Sequence, residues 1–425
     1  MPTIRIAVIG LSGCAAVHLQ AVEWLQERGE AKLSAVVALP SERERYPGLV
    51  EVLGMQKVVL FDSIQAFLQT AENAGDILTV PIGIHQHVPV SIAALQAGFH
   101  VYCEKPVAAT IQEVDQLIRV QRETSRKILI GFQHIYSRSV QRLKERICDG
   151  RLGPVKSIAL LHGWPRSQSY YTRNDWAGRL RLEKTWVLDS PANNAMAHYL
   201  FNMLYLASSK PDEAASPSRV QAELYRANRI ESADLIQVKF VTEAEVHGHA
   251  VLTHCTKNEI GPAMKVVCEN GHADWQTDEG VTRVQYKDGT NERFDNPDHP
   301  NWRFDAFRDL ISAVYHDSQP LCTPEFARAH TLLIDALHES CPGIVTIPEE
   351  FIEEEIDWQD HPPDTQALFR RVKNLDEDMR IALEEDLFLS ELDLPWAKAV
   401  KSELFETAGY NFFPQARIES ITQNS

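Results

Sequence analysis

Four short stretches of this 425-residue chain hold side chains whose types and spacing suit chemistry. Tyr102-Cys103-Glu104-Lys105-Pro106 sets a carboxylate beside an ammonium directly after an apolar run. A lysine at the end of a buried strand is costly unless it is paired or used, and Pro106 fixes the direction of the chain after it. Such an ammonium can bond a reacting oxygen and stabilise the negative charge that develops there. Asp189-Ser190-Pro191-Ala192-Asn193-Asn194-Ala195-Met196-Ala197-His198 spaces Asn194 and His198 four apart, which places both on one face of a helix. Histidine is the side chain best suited to proton transfer near neutral pH. Pro81-Ile82-Gly83-Ile84-His85 follows another apolar strand. Finally, Gly10-Leu11-Ser12-Gly13-Cys14-Ala15 stands where G-x-G-x-x-G would form a pyrophosphate cradle.

In that last stretch Gly10 permits the tight strand-to-helix turn. Ser12 replaces the second glycine with a small hydrogen-bonding residue, Gly13 restores freedom one position later, and Ala15 still lets helix and strand pack closely. The amides from Ser12 through Cys14 and Ala15 would face the phosphates at a helix N-terminus. Each stretch also has a plain structural reading: a glycine-containing turn, a surface lysine in a turn, a core histidine. The second strand ends Val37-Ala38-Leu39-Pro40-Ser41-Glu42-Arg43. Leu39 stands where an NAD site carries an acid on the ribose 2′-hydroxyl, whereas Ser41 and Arg43 suit a 2′-phosphate, so this stretch favours NADP over NAD. The histidines 85 and 87 lack a third ligand in their loop, and the seven cysteines show no C-x-x-C spacing, so no metal is expected.

The elements that must hold these residues follow from pattern. Short apolar runs at Ile4–Ile9, Lys32–Leu39, Ile77–Val80, His100–Cys103 and Lys127–Gly131 alternate with helical stretches at Val17–Glu27, Ser63–Gln69, Val88–Ala97 and Thr110–Thr124. Repeated β-α-β with nearly continuous apolar strands implies a parallel sheet covered on both faces. After about residue 150 longer strands with few helices between them imply a largely antiparallel sheet, interrupted by a helix at Asn193–Leu206. Helices at Phe304–His316 and Pro324–Glu339 follow. Beyond about residue 355 the chain is acidic. Asp364 suits a helix cap, and Leu368, Val372, Leu375, Met379, Leu383 and Leu387 then recur at helical spacing. Packing on the parent domain or on a sister subunit is the expected use of that face. A net charge of −17 argues against nucleic acid and anionic membranes as partners. Scattered free thiols and the lack of a signal segment suit a cytoplasmic protein.

In this order the pieces resemble the glucose-fructose oxidoreductase / inositol dehydrogenase (Gfo/Idh/MocA) family. The resemblance rests on the N-terminal glycine turn, Pro81-x-x-x-His85, Ala94-Leu95-Gln96-Ala97-Gly98-Phe99-His100-Val101 followed by Glu104-Lys105-Pro106, Asp149-Gly150-Arg151-Leu152-Gly153, and the later helix with His198. It covers roughly residues 4 to 350. It implies a Rossmann NAD(P)-binding domain over 1–132, an α/β substrate domain with a large open, mostly antiparallel sheet over 133–354, and an acidic helical extension over 355–425. It implies NADP or NAD as cofactor, with Glu104 at the cofactor and Lys105 reaching both cofactor and substrate. The family's D-x-x-x-H pair falls on Asn194 and His198, so an amide stands where the pattern has a carboxylate. The substrate expected is a carbohydrate-like alcohol or ketone, with His134, Tyr136, Trp164 and Arg166 as further contacts. The resemblance also implies a homodimer or homotetramer formed through the second sheet. An NAD-dependent glycosidase and a non-catalytic dinucleotide- or sugar-binding sensor remain as alternatives.

Overall fold

The computed structural model describes residues 3–70, 75–276, 281–295, 301–357 and 367–415. The chain begins with six parallel strands and the helices between them: β1 (Ile4–Ile9), α1 (Cys14–Glu27), β2 (Ala31–Val37), α2 (Pro40–Arg45), α3 (Pro47–Met55), β3 (Val59–Phe61), α4 (Ile64–Gln69), β4 (Ile77–Val80), α5 (Ile84–Gln96), β5 (His100–Cys103), α6 (Ile111–Thr124) and β6 (Ile128–Ile130). Their order across the sheet is β3-β2-β1-β4-β5-β6, the doubly wound arrangement of a Rossmann fold. The most apolar runs are the fully buried strands: every residue of β4 and β6 is buried, Thr79 of β4 included, as parallel strands covered on both faces must be. Helix α1 buries His18, Ala21, Val22 and Leu25, a helical stripe against the sheet. Ser63 caps α4 by accepting from the Ala66 amide at 3.1 Å.

The second part runs α7 (Arg138–Cys148), β7 (Val155–Gly163), α8 (Gln168–Thr172), β8 (Arg181–Leu182), β9 (Thr185–Trp186), α9 (Ala197–Ala207), β10 (Pro217–Arg226), β11 (Leu235–Thr242), β12 (His247–Thr253), β13 (Ile260–Cys268), β14 (Gly271–Gln276), β15 (Val281–Tyr286) and β16 (Asn291–Asp295). It continues with α10 (Asp305–His316), α11 (Pro324–Ser340), β17 (Val345–Thr346), β18 (Ile352–Asp357), β19 (Ala367–Val372), α12 (Leu375–Glu384) and β20 (Phe405–Glu406). A large mixed sheet, mostly antiparallel, has the order β16-β15-β14-β13-β7-β12-β11-β10-β17 with β20 on β10. Both the Rossmann fold and this open sheet match the expected fold class. The strands β14 to β16 and the helix α7 carry polar outer faces and were not anticipated from apolar runs.

By packing, the chain forms two compact units: Met1–Ala108 with Gln112–Gln133 and Asn301–Arg328, and Ala109–Ile111 with His134–Pro300 and Ala329–Ser425. This grouping differs from the boundaries 1–132, 133–354 and 355–425. Asn301–Arg328 joins the first unit because α10 closes its sheet, with Phe307 stacked on Tyr102 at 4.3 Å between ring centroids.

The C-terminal segment is not one amphipathic helix. Ala367–Val372 is a strand paired antiparallel with β18, and the helix starts only at Leu375. Leu368 and Val372 share a strand face as well as a helical one, since four is a multiple of two. Arg370 and Arg371 decide in favour of the strand, where they pair with Glu354 and Glu355. The expected cap, Asp364, lies outside the described residues. Leu375, Met379, Ala382, Leu389 and Trp396 are buried with Leu161, Tyr225, Leu235 and Val251 of the large sheet. The segment therefore belongs to the core of the second unit. Alternation along β7 shows the layering: His162 meets Tyr199 of α9, while its neighbour Leu161 meets the C-terminal segment.

Candidate active site

In the first unit, three loops leave the carboxyl edge of adjacent strands β1, β4 and β5, beside the point where the strand order reverses. The first is the glycine turn. Gly10 has φ +94°, and a Cβ there would lie 3.0 Å from Ala15 Cβ, which explains a glycine followed by a small residue five positions on. Gly13, at φ 58°, precedes the first residue of α1, and no side chain caps that helix. The turn thus offers the amides of Ser12, Gly13 and Cys14 at a positive helix end, which fits a pyrophosphate.

The end of β2 differs from the expected loop. Ser41 and Arg43 lie on the short helix α2, with Ser41 exposed. The Arg43 guanidinium donates to Ala38 O at 3.0 Å and pairs with Asp62 at 2.8 Å. Glu42, passed over in the sequence, turns its carboxylate onto the glycine turn. Its Oε1 accepts from the Leu11 amide and its Oε2 from the Leu39 amide, both at 3.3 Å. Its signal was its place three residues after Leu39, where a glutamate reaches back to the start of a helix.

The second loop places Pro81 half-buried and starts α5 after Gly83, with His85 half-buried in the first turn. His87, two residues further on, has a structural part: its Nδ1 lies 2.6 Å from Pro106 O and its Nε2 3.0 Å from Ile82 O. It ties the second loop to the third. Burial pushes its pKa down, against the pull of the two carbonyls.

The third loop holds Glu104 and Lys105. Glu104 is buried, and its Oε1 accepts from His18 Nε2 and Gln133 Nε2, each at 2.9 Å, while its Oε2 accepts from the Lys105 amide at 3.1 Å. Burial alone would raise the Glu104 carboxyl; the His18 bond and the Lys105 charge outweigh it and hold the carboxyl below its ordinary range. An ionised buried carboxylate therefore fixes the backbone from which Lys105 projects. Cys14, His18 and Glu104 bring ligand atoms within 4.8 Å of one another. They make a poor metal site, because the Glu104 oxygens are committed. The Cys14 residue has exposed surface, yet protein around its sulfur and the Glu104 charge still raise its thiol pKa.

In the second unit, His198 sits in the first turn of α9. Asn194 does not share its helical face, since the segment from Pro191 to Met196 is a run of turns and the helix starts at Ala197. Pro191 and the polar run after it favour turns over an earlier helix start. Asn194 Nδ2 donates instead to Asp189 Oδ1 at 2.7 Å, and Asp189 Oδ2 accepts from the Gly178 amide at 2.6 Å. The carboxylate missing at 194 is thus supplied to Asn194 from position 189. The His198 ring stacks on His134, with centroids 4.2 Å apart and planes 7° from parallel. His134 meets Tyr199 at 5.0 Å, Tyr199 meets His162 at 4.8 Å, and His162 stacks with Trp164 at 5.8 Å. Arg166 lies over Trp164 with Cζ 3.7 Å from the ring centroid. Tyr136 is half-buried in the same turn as His134. Sequence reasoning missed Tyr199 and His162 because each sits singly on an apolar helix or strand.

A dinucleotide-binding α/β protein is thereby defined: a Rossmann sheet with a phosphate-fitting turn and a held lysine on one carboxyl edge. Residues 4–132 match the family model GFO_IDH_MocA, described as an oxidoreductase family with an NAD-binding Rossmann fold. Inositol 2-dehydrogenase of Rhizobium meliloti (strain 1021) is 26% identical over 159 residues, 37% of this chain and 44% of the relative. D-glucoside 3-dehydrogenase of Escherichia coli (strain K12) is 29% identical over 153 residues, 36% of this chain and 41% of the relative. The chain therefore spans less than half the length of these curated relatives. The fold likeness reaches further: the WlbA dehydrogenase from Bordetella pertussis, solved in complex with NADH and UDP-GlcNAcA, superposes with a TM-score of 0.64 at 21% identity, covering 79% of this chain and 96% of that one.

Proposed function

We propose that this protein is an NAD(P)-dependent oxidoreductase acting on a CH–OH or C=O group of a carbohydrate-like substrate. The observation that carries the reading is the Glu104–Lys105 loop, held by His18, Gln133 and His87 on the sheet edge that also bears the glycine turn. The named relatives act on inositol and glucosides by their names, which supports a polyol or sugar substrate. The dinucleotide, when bound, supplies the hydride acceptor or donor. The chain's own groups do the rest. Glu104 fixes the Lys105 backbone, and the Lys105 ammonium bonds the reacting oxygen and stabilises its developing charge. His198 takes the hydroxyl proton in oxidation and returns it in reduction. His134, flat against His198, holds its ring plane, and Asn194, anchored by Asp189, keeps the turn before the helix in place.

For the cofactor, the geometry around Glu42 supports NAD. Its carboxylate lies at the turn where an acid bonds a ribose 2′-hydroxyl and would repel a 2′-phosphate, while Arg43 is already engaged. A 2′-phosphate on Arg43 would require that guanidinium to leave Asp62, whereas Ser41 is exposed on α2. For assembly, the C-terminal segment covers the sheet face at Leu161, Leu235 and Val251, so subunits would meet elsewhere than on that face. No described helix is long and apolar enough to cross a membrane. The experiment that tests the function is reduction of NAD by a panel of polyols, sugars and sugar derivatives, comparing the wild type with Lys105→Ala. Turnover with some member of the panel, lost in the variant, is expected; dinucleotide binding without turnover across the panel would favour the sensor reading instead.

A further inference from the structure

The stretch from Trp164 to Arg181 carries four arginines, Arg166, Arg173, Arg179 and Arg181, against one acid, Asp175, in a chain of net charge −17. Among the described residues none of the four arginines lies within ion-pair distance of a carboxylate, although many arginines elsewhere in the chain are so paired. Two of them converge. Arg166 lies 3.7 Å from the Trp164 centroid and 4.9 Å from that of Tyr170, and Arg173 lies 3.6 Å from the same Tyr170 ring. Glu259 acts as a charge on Arg166, and Asp189 as a charge on Tyr170.

Stacking occupies the faces of a guanidinium and leaves its in-plane N–H donors to be satisfied. Arg166 Nε is buried with no hydrogen-bond partner among the described residues. Beside it, His162 is 1% exposed, and neither of its ring nitrogens has a hydrogen-bond partner among the described residues. Buried donors without acceptors are costly, so several here point to a ligand that brings acceptors with it. Like charge compounds the effect: burial and then Arg166 push His162 down to about 3, and burial, Arg166, His162 and Arg173 act together on His254, also near 3. The neutral histidines leave Arg166 and Arg173 as the fixed cations. The group is continuous with the proton-handling residue through the ring contacts His198, His134, Tyr199, His162 and Trp164.

We propose that Arg166 and Arg173 form an anion-recognition subsite, and that the substrate carries an anionic oxyacid group, a carboxylate or a phosphate, on its carbohydrate. This rests on the oxidoreductase reading for the word substrate, while the subsite itself rests on the arginine geometry. The planar fork of Arg166 suits two oxygens of either group, and Tyr170 holds both guanidinium groups in place from their faces. The stretch is positioned by the C-terminal segment: Ser167 bridges Phe369 of β19, and Arg166 N donates to His254 O at 3.1 Å.

The test is calorimetric titration of the full chain with glucose, glucuronate and glucose 6-phosphate, with NADH binding measured separately by fluorescence. At least one anionic probe is expected to bind about tenfold or more tightly than glucose, the preference falling with added salt. Glucuronate ahead of glucose 6-phosphate assigns the subsite to a carboxylate, and the reverse order to a phosphate. Arg173→Ala, at an exposed position that tolerates truncation, should remove most of that preference, and Arg166→Lys should weaken it while keeping the charge. Equal binding of all three probes, no binding of either anion, or an anion preference untouched in Arg173→Ala would overturn the proposal. NADH binding without anion preference sinks the subsite alone. Anion preference without any dinucleotide binding sinks the oxidoreductase reading and leaves the subsite standing.

Discussion

At the scale of single residues, the chemistry was legible where a side chain stood inside a recognisable stretch and hidden where geometry alone gave it a role. Lys105, Glu104 and Gly10 stand where their motifs put them, each after a buried strand. Glu42 was hidden because its contact with the glycine turn depends on a helix folding its carboxylate back 31 residues in sequence to Leu11. His18 was hidden because one histidine on an apolar helix face reads as core until its partner Glu104, 86 residues away, is known. Glu42 carries a direct consequence. NADH should bind more tightly than NADPH in a fluorescence titration, and Glu42→Ala should narrow the difference by about tenfold, roughly 1.4 kcal/mol, as the repulsion of a 2′-phosphate is removed. A wild type that prefers NADPH would show that Arg43 leaves Asp62 to take the phosphate, and the assignment of Glu42 would fall.

At the scale of elements, the parallel strands were readable because burial on both faces makes them mostly apolar: β6 is wholly apolar, and β4 is apolar but for Thr79. The C-terminal segment was misread because one face of a strand and one face of a helix both accept Leu368 and Val372 at a spacing of four. Its role follows from what it touches. Asp376 accepts from the Lys257 amide at 2.9 Å, the Val372 amide donates to Cys255 O at 2.9 Å, and buried Arg370 donates to Ala227 O at 2.7 Å. The segment therefore braces the 253–258 turn, which runs beside Trp164 and Arg166. Met379 is fully buried in the shared core. Met379→Ala should cost about 2–4 kcal/mol in urea unfolding, the range for truncating a buried side chain in a packed core. A cost below about 0.5 kcal/mol, the level of a typical surface change, would mean that α12 is a loosely held appendage.

At the scale of the whole molecule, buried histidines set the response to acid. Burial, as the leading cause, holds His100, His249 and His338 down to about 4 and His162 and His254 down to about 3. The unfolded chain takes up these protons near the ordinary histidine value of about 6.5. Between that value and the folded ones the unfolded state binds more protons, so stability falls as pH falls. From pH 7 to pH 6 five such groups cost about 3 kcal/mol together, as an upper figure. Asp378 works the other way: burial raises it to about 6, so its share of stability is regained as pH falls through that value. Urea midpoints should therefore drop between pH 7 and pH 6, and a flat or rising midpoint would contradict the burial of these rings. Lys105 is the proposed electrophilic group, its ammonium projecting from the loop that Glu104, His18 and His87 hold. The measurement that reaches it most directly is the single-turnover reduction of bound NAD by a turned-over sugar, followed by the near-ultraviolet absorbance of reduced nicotinamide in wild type and Lys105→Ala. A fall of about 100- to 1,000-fold in the rate, with NADH affinity nearly unchanged, is the expected result; a variant that reduces NAD at the wild-type rate would remove Lys105 from the chemistry and with it the proposed mechanism.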